Sequence, residues 1–181
     1  MDKSKRRLRW NTIPLVLTEK AFNEFVLPHL QVPSRGPSPK PSDHAIFNYI
    51  LHFMHTGCQW ENLAIKTNLE RLPEIHYTRI DSKFRYWVTT GSLANIFENT
   101  VMVLKERQLL DLSMIHGDGT TTSAKKGGDN LGFNGHKHMR GDKTVAFCDR
   151  NCNIIAPFIA AAGNRNECPL PPEALKPLKA I

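Results

Sequence analysis

Apolar residues recur at helical spacing through the N-terminal half of the chain. Ala21, Phe22, Phe25 and Val26 share one face behind Thr18, a residue suited to an N-cap, and Pro28 ends or bends that helix. Residues 31–41 hold four prolines and a glycine, which predicts an extended linker. Ser42 then caps a helix ending near Gly57, with Ile46, Tyr49, Ile50, Phe53 and Met54 as its apolar stripe. After the turn Thr56–Trp60, Pro73 takes a first-turn position in a helix running to about Val88, with Gly91 just beyond it. Ile80, Phe84, Trp87 and Val88 face inward there, while Arg79, Lys83 and Tyr86 form a strip on the flank. Ser92 is expected to cap a further helix carrying Leu93, Ile96, Phe97, Met102 (or Val101) and Leu104. Residues 15–108 thus read as an all-helical bundle.

The texture changes near Ser113. Met114–Gly119 is a short apolar run entering a polar turn, and Lys143–Asp149 and Ile154–Ala161 read as two strands separated by the turn Arg150–Asn153. Seven of the 11 glycines fall between Gly117 and Gly141, which predicts a glycine-rich loop there. Pro157 lacks a ladder donor, so the last strand belongs on a sheet edge. The fold class expected is α+β, with a helical domain followed by three strands.

Composition narrows the class. With 181 residues, 40% hydrophobic and 23% charged, the chain has the make-up of a folded protein of one or two small domains. The apolar run Ile13–Leu17, broken by Pro14, is too short for a secretory core or a membrane span, so a cytoplasmic protein with no membrane partner is expected. The formal charge is +7, and most of the excess lies in a basic arm (residues 1–14) led by Lys3, Lys5, Arg6, Arg7 and Arg9. Such an arm attracts polyanions through counterion release; as a bare tail it would serve only solubility.

Several groups could carry chemistry. Asp118, at the end of the first strand between Gly117 and Gly119, offers a hard oxygen ligand to Mg²⁺, or else caps Thr120 or Thr121 as a turn aspartate. Arg79, Lys83, Arg85 and Tyr86 suit the recognition helix of a helix-turn-helix, or simply the solvated face of an amphipathic helix. His136, Lys137, His138, Arg140 and Lys143 form a basic run that could contact phosphates or metal, or else is simply a solvated loop. The stretch Gly127–Gly132 is not a phosphate loop, because no Gly-Lys-Ser/Thr follows it. Cys148 and Cys152, with Cys168 and His138, are the candidate ligands of a zinc hairpin, although the second close pair usual in structural zinc sites is missing.

Two blocks together resemble one family. Thr56-Gly57-Cys58-Gln59-Trp60-Glu61-Asn62-Leu63, the Phe84-Arg85-Tyr86-Trp87 helix and Gly91 form the first. Gly117-Asp118-Gly119-Thr120, Gly135-His136-Lys137-His138, Gly141-Asp142-Lys143 and Asp149-Arg150-Asn151 form the second. In order and spacing over about residues 15–170 they resemble the insertion-sequence DDE transposases of the insertion sequence five group. The resemblance implies a helical DNA-binding domain (residues 15–110) and the first half of a ribonuclease-H-like catalytic domain (residues 111–181). It implies double-stranded DNA, at an element's terminal inverted repeats, as partner, and a bacterial, nucleoid-associated setting; homo-oligomerisation is left open. In the complete enzyme three carboxylates hold two Mg²⁺ (or Mn²⁺) ions for phosphoryl displacement, and Asp118 matches the first. The other two belong to later elements, and Asp142, Asp149 and Glu167 match neither. The sequence ends at Ile181, in a segment broken by Pro169, Pro171, Pro172 and Pro177, so the expectation is a truncated copy or the first frame of a frameshifted element, catalytically incomplete. The alternatives are a truncated DNA-binding repressor of transposition and a zinc-hairpin interaction protein.

Overall fold

A computed structural model describes residues 15–32, 40–124 and 131–166. Among them, four α-helices precede a four-stranded antiparallel sheet, a mixed α+β architecture. The chain divides into two compact units, Met1–Ile96 and Phe97–Ile181. Among the described residues no helix is long and apolar enough to cross a membrane.

In the first unit, α1 (Glu19–Phe25) starts where Thr18 Oγ1 accepts the Ala21 N–H at 3.2 Å. A single 3₁₀ turn, Leu27–His29, follows, with Pro28 at its start where no donor is needed. α2 (Asp43–Thr56) is capped by Ser42 and closed by Gly57 at φ 61°, as the sequence predicts. The chain entering α1 is tied to α2, since Asn48 Oδ1 accepts the Leu17 N–H at 2.8 Å and His44 Nε2 lies 2.7 Å from the Leu17 carbonyl oxygen.

Two boundaries differ from expectation. The helix expected from Pro73 starts only at Tyr77: α3 is Tyr77–Thr89, with His76 as N-cap. Pro73 instead bridges Thr67 in a loop where Asn68 Oδ1 accepts the N–H groups of Glu70 and Leu72, an arrangement that holds the backbone away from helix. The connection between α2 and α3 is therefore residues 57–76, far longer than the three or four residues of a tight helix-turn-helix. Ser92 is the first residue of α4 (Ser92–Glu106) rather than its cap; it is fully buried and its hydroxyl accepts the Gln31 N–H at 3.0 Å. The core is Phe22, Val26, Ile46, Phe47, Ile50, Ile80 and Trp87 with their neighbours, whereas Met54 and Val88, both assigned to apolar stripes, are exposed.

In the second unit the strands are β1 (Ile115–Ser123), β2 (Gly132–Asn134), β3 (Met139–Asp149) and β4 (Ile159–Ala162). β3 is central. β1 pairs along one side of it, with Asp118 opposite Ala146, while β2 and β4 follow one another along the other side. Among the described residues there are thus four strands, not three, and the predicted edges move. β1 continues past Gly119 through the β-branched run Thr120–Thr122, and the expected glycine-rich loop contains β2. The expected strand Ile154–Ala161 is broken around Pro157: Ile154 makes one bridge to Cys148, and regular pairing resumes only at Ile159. Val145, Phe147, Ile155, Ala156 and Ala161 form a small core on one face. A Cβ on Gly117 would lie 2.4 Å from the Phe147 ring, so glycine there lets that ring cover the strand.

Candidate functional site

The α3 cations divide by surroundings. Lys83 Nζ lies 3.0 Å from Asp43 Oδ1 and 5.2 Å from the Trp87 ring centroid, with the two charged side chains only 16% and 12% exposed. The contact is one of charge, since Oδ1 lacks an aligned hydrogen-bond donor. Arg85 Nε sits 3.0 Å from both Asp81 oxygens, one helical turn away. Arg79 is exposed. Lys83 is therefore a structural cation joining α3 to α2 and not an outward DNA contact. Lys83→Met should lower the stability of the helical unit by about 2 kcal/mol, because Asp43 is left nearly buried beside no counter-charge. A lowered urea midpoint for the variant checks this. Lys3, Lys5, Arg6, Arg7 and Arg9 lie outside the described residues.

A cleft of about 380 Å³ in the helical unit is lined by His44, Tyr49, His52, Lys66 and Glu74. Burial, reinforced by the hydrogen bond to Glu74, pushes the Tyr49 phenol up to about 12. Its hydroxyl donates to Glu74 and accepts the Lys66 N–H, so it pins the 63–76 loop and is no proton-transfer group near neutral pH.

Asp118 lies within β1, not at its end, and its side chain is exposed. Its Oδ1 accepts the Gly119 N–H at 2.8 Å. Alternation along the ladder gives it one face with His116, Thr120, Thr144 and Ala146, while Val145 and Phe147 fill the other. The same alternation puts both Gly117 and Gly119 on that other face, so neither flanks the carboxylate on its own side of the sheet. Among the described residues no group of three or more His, Cys, Asp or Glu side chains is placed to hold a metal ion. One carboxylate and its neighbours do not fit a two-ion centre.

The basic loop splits. His136 and Lys137 sit on the turn joining β2 to β3, where Asn134 Oδ1 accepts both of their N–H groups at 3.0 Å. Together with Lys143 they line a second cleft, on the face opposite Asp118. Arg140 projects to Asp118's face at the far end of β3, and His138 occupies the left-handed region at φ 48°. Arg165 joins this cleft, its carbonyl accepting from Lys143 Nζ at 3.1 Å. Nothing local in the sequence marks a residue so distant from Lys143.

His138 sits in the turn just before β3 and Cys148 near that strand's other end, and the intervening stretch Met139 to Cys148 alone spans about 30 Å at about 3.3 Å per residue. They cannot share a zinc ion. Cys168 lies outside the described residues. Burial, with Cys152 and Asp149 nearby, pushes the Cys148 thiol up and disfavours the thiolate that zinc requires. Cys152 itself is exposed and held at φ 64° in the turn. Cys152→Gly should stabilise the sheet unit by about 0.5–1 kcal/mol by removing the left-handed strain, less the entropy glycine adds to the unfolded chain. A raised urea midpoint at constant slope would show it.

The residue that sequence reasoning passed over is Asp149. It is fully buried, and among the described residues its Oδ1 accepts the N–H groups of Asn151 and Asn153 while Oδ2 accepts the Asp111 N–H and the Asn153 side-chain amide. An aspartate followed by asparagines two and four positions later is the available signal of such a turn clamp. Comparison of the chain with protein-family models, curated proteins and solved structures finds no match.

Proposed function

We propose that this chain binds double-stranded DNA as a transposase-type protein, recognising insertion-element ends, and that by itself it does not cut them. The observation that carries the reading is Asp118: an exposed carboxylate within the first strand, beside the central strand of an antiparallel sheet. It stands at the position where the resembling family has its first acidic residue. The arm residues Lys3, Lys5, Arg6, Arg7 and Arg9, followed by the exposed Arg79, supply the electrostatic footprint of a phosphate-binding protein. A helix-turn-helix-like unit joined to part of a ribonuclease-H-like sheet is the fold this reading assigns.

The test is binding of a mixed-sequence 30-base-pair duplex across a salt series. Deleting residues 3–9 should weaken binding to every sequence and reduce the slope of log K on log salt by about 0.9 per lost phosphate contact. Salt-independent binding would sink the DNA reading. Mg²⁺-dependent nicking by the purified chain, lost in Asp118→Asn, would sink the claim that it does not cut.

A further inference from the structure

The connection between α2 and α3 carries a braced hairpin. The Glu74 N–H donates to the Lys66 carbonyl at 2.9 Å, Thr67 bridges Pro73, and the Asn68 N–H donates to the Leu72 carbonyl at 2.9 Å. Inside the tip, Asn68 Oδ1 accepts from the Glu70 and Leu72 backbone, and Arg71 is held at φ 61°. The base is fixed as well, since the Tyr49 hydroxyl donates to Glu74 and accepts the Lys66 N–H. This scaffold presents Leu69 at 104% exposure, beside the exposed Glu70 and Arg71. A leucine so exposed adds no apolar burial to its own copy, and the bracing spares the tip the ordering entropy that a loose loop would lose on docking.

The same helical unit carries a groove of about 420 Å³ lined by Phe53, Trp60, Phe84 and Val88, with Asp81 and Arg85 as its charged members. Its wall is formed in advance: the Phe53 and Trp60 rings stack at 3.6 Å between centroids, and Phe84 meets Trp60 at 5.8 Å. Val88 is half exposed, and Arg85, whose Nε serves Asp81, keeps its terminal N–H donors on a side chain that is 73% exposed. We propose that this groove takes the Leu69 tip of a second copy of this chain. The charges are complementary: Glu70 beside the leucine suits Arg85, and Arg71 suits Asp81. Full exposure of Leu69 excludes its own groove as the seat. Each copy holds both halves of the contact, so a two-fold arrangement forms it twice and closes the assembly at a dimer. The contact stands whether or not the chain binds DNA.

Sedimentation velocity of the full chain over a wide concentration range tests this. The chain should sediment as a dimer. Leu69→Ser in the tip and Val88→Gln in the groove should each raise the dissociation constant about tenfold or more, the factor expected for losing the burial of one aliphatic side chain. Both positions are exposed in the single copy, so circular dichroism should show both variants folded. An equimolar mixture of the two variants keeps one intact tip facing one intact groove, and should associate more tightly than either variant alone. A monomer at every concentration would overturn the proposal, and a loss of duplex affinity in Val88→Gln would then assign the groove to DNA. Dimerisation untouched by either variant would place the interface elsewhere. A mixture that associates no better than its components would overturn the tip-in-groove contact.

Discussion

Replacing Asp149 by asparagine is expected to destabilise the sheet unit by about 3 kcal/mol. The side chain is fully buried, and its two oxygens together take four hydrogen bonds among the described residues, tying the turn after β3 to the segment before β1. An amide of the same shape keeps one acceptor oxygen and turns its NH₂ toward N–H donors. Two of them then lose their acceptor in a dry site, and each such loss costs about 1–3 kcal/mol. Burial alone would raise the Asp149 carboxyl, but the N–H groups of Asp111, Asn153 and Asn151, with the Asn153 amide, outweigh it and hold the pKa below the ordinary carboxylate value. The sign follows from linkage. A native pKa below the unfolded value of about 3.9 gives stability that is complete above that pH and is lost as pH falls through the native pKa. The wild-type sheet should therefore weaken below about pH 4, and the asparagine variant should lack that share of the pH dependence. Hydrogen exchange of the β3 amides between pH 3 and 7 reads both effects. A variant within about 0.5 kcal/mol of wild type, with the same acid limb, would show that Asp149 is no clamp.

Trp87→Ala should cost the helical unit more, about 4 kcal/mol. The ring has no exposed surface, meets Phe47 at 6.1 Å between centroids, and carries the Lys83 ammonium at 5.2 Å. Removing it leaves a cavity that α2 and α3 cannot close, because the Lys83–Asp43 contact holds their spacing. The buried indole Nε1 has no hydrogen-bond partner among the described residues. Trp87→Phe therefore gives up no hydrogen bond, removes an unsatisfied donor, and should cost only about 1–2 kcal/mol. Chemical denaturation of the pair of variants checks this. Equal losses for the two would mean that the indole nitrogen and not the ring volume stabilises the site.

Local chemistry made the ends of α1 and α2 legible in the sequence. Thr18 and Ser42 satisfy orphan N–H groups within three residues of themselves, and Gly57 takes a left-handed conformation that other residues resist. The inward faces at Ile46, Tyr49, Ile50, Ile80 and Trp87 follow from helical periodicity, and the mixed α+β class follows from the change of texture near Ser113. The basic arm is a property of composition and needs no fold to be seen.

Tertiary structure decided the rest, because each of those outcomes depends on a partner distant in sequence. Lys83 has the same helical position whether it faces solvent or Asp43; only the packing of α3 on α2 makes it structural. Pro73 suits the first turn of a helix, yet the Asn68 and Tyr49–Glu74 bonds hold its loop elsewhere. β2 is short and glycine-containing, with little strand character of its own, and exists because β3 offers it an open edge. Asp118 and Lys143 both belong to basic or acidic motifs, but strand alternation sends them to opposite faces of one sheet. That separation leaves an exposed carboxylate on one face and a cationic cleft on the other.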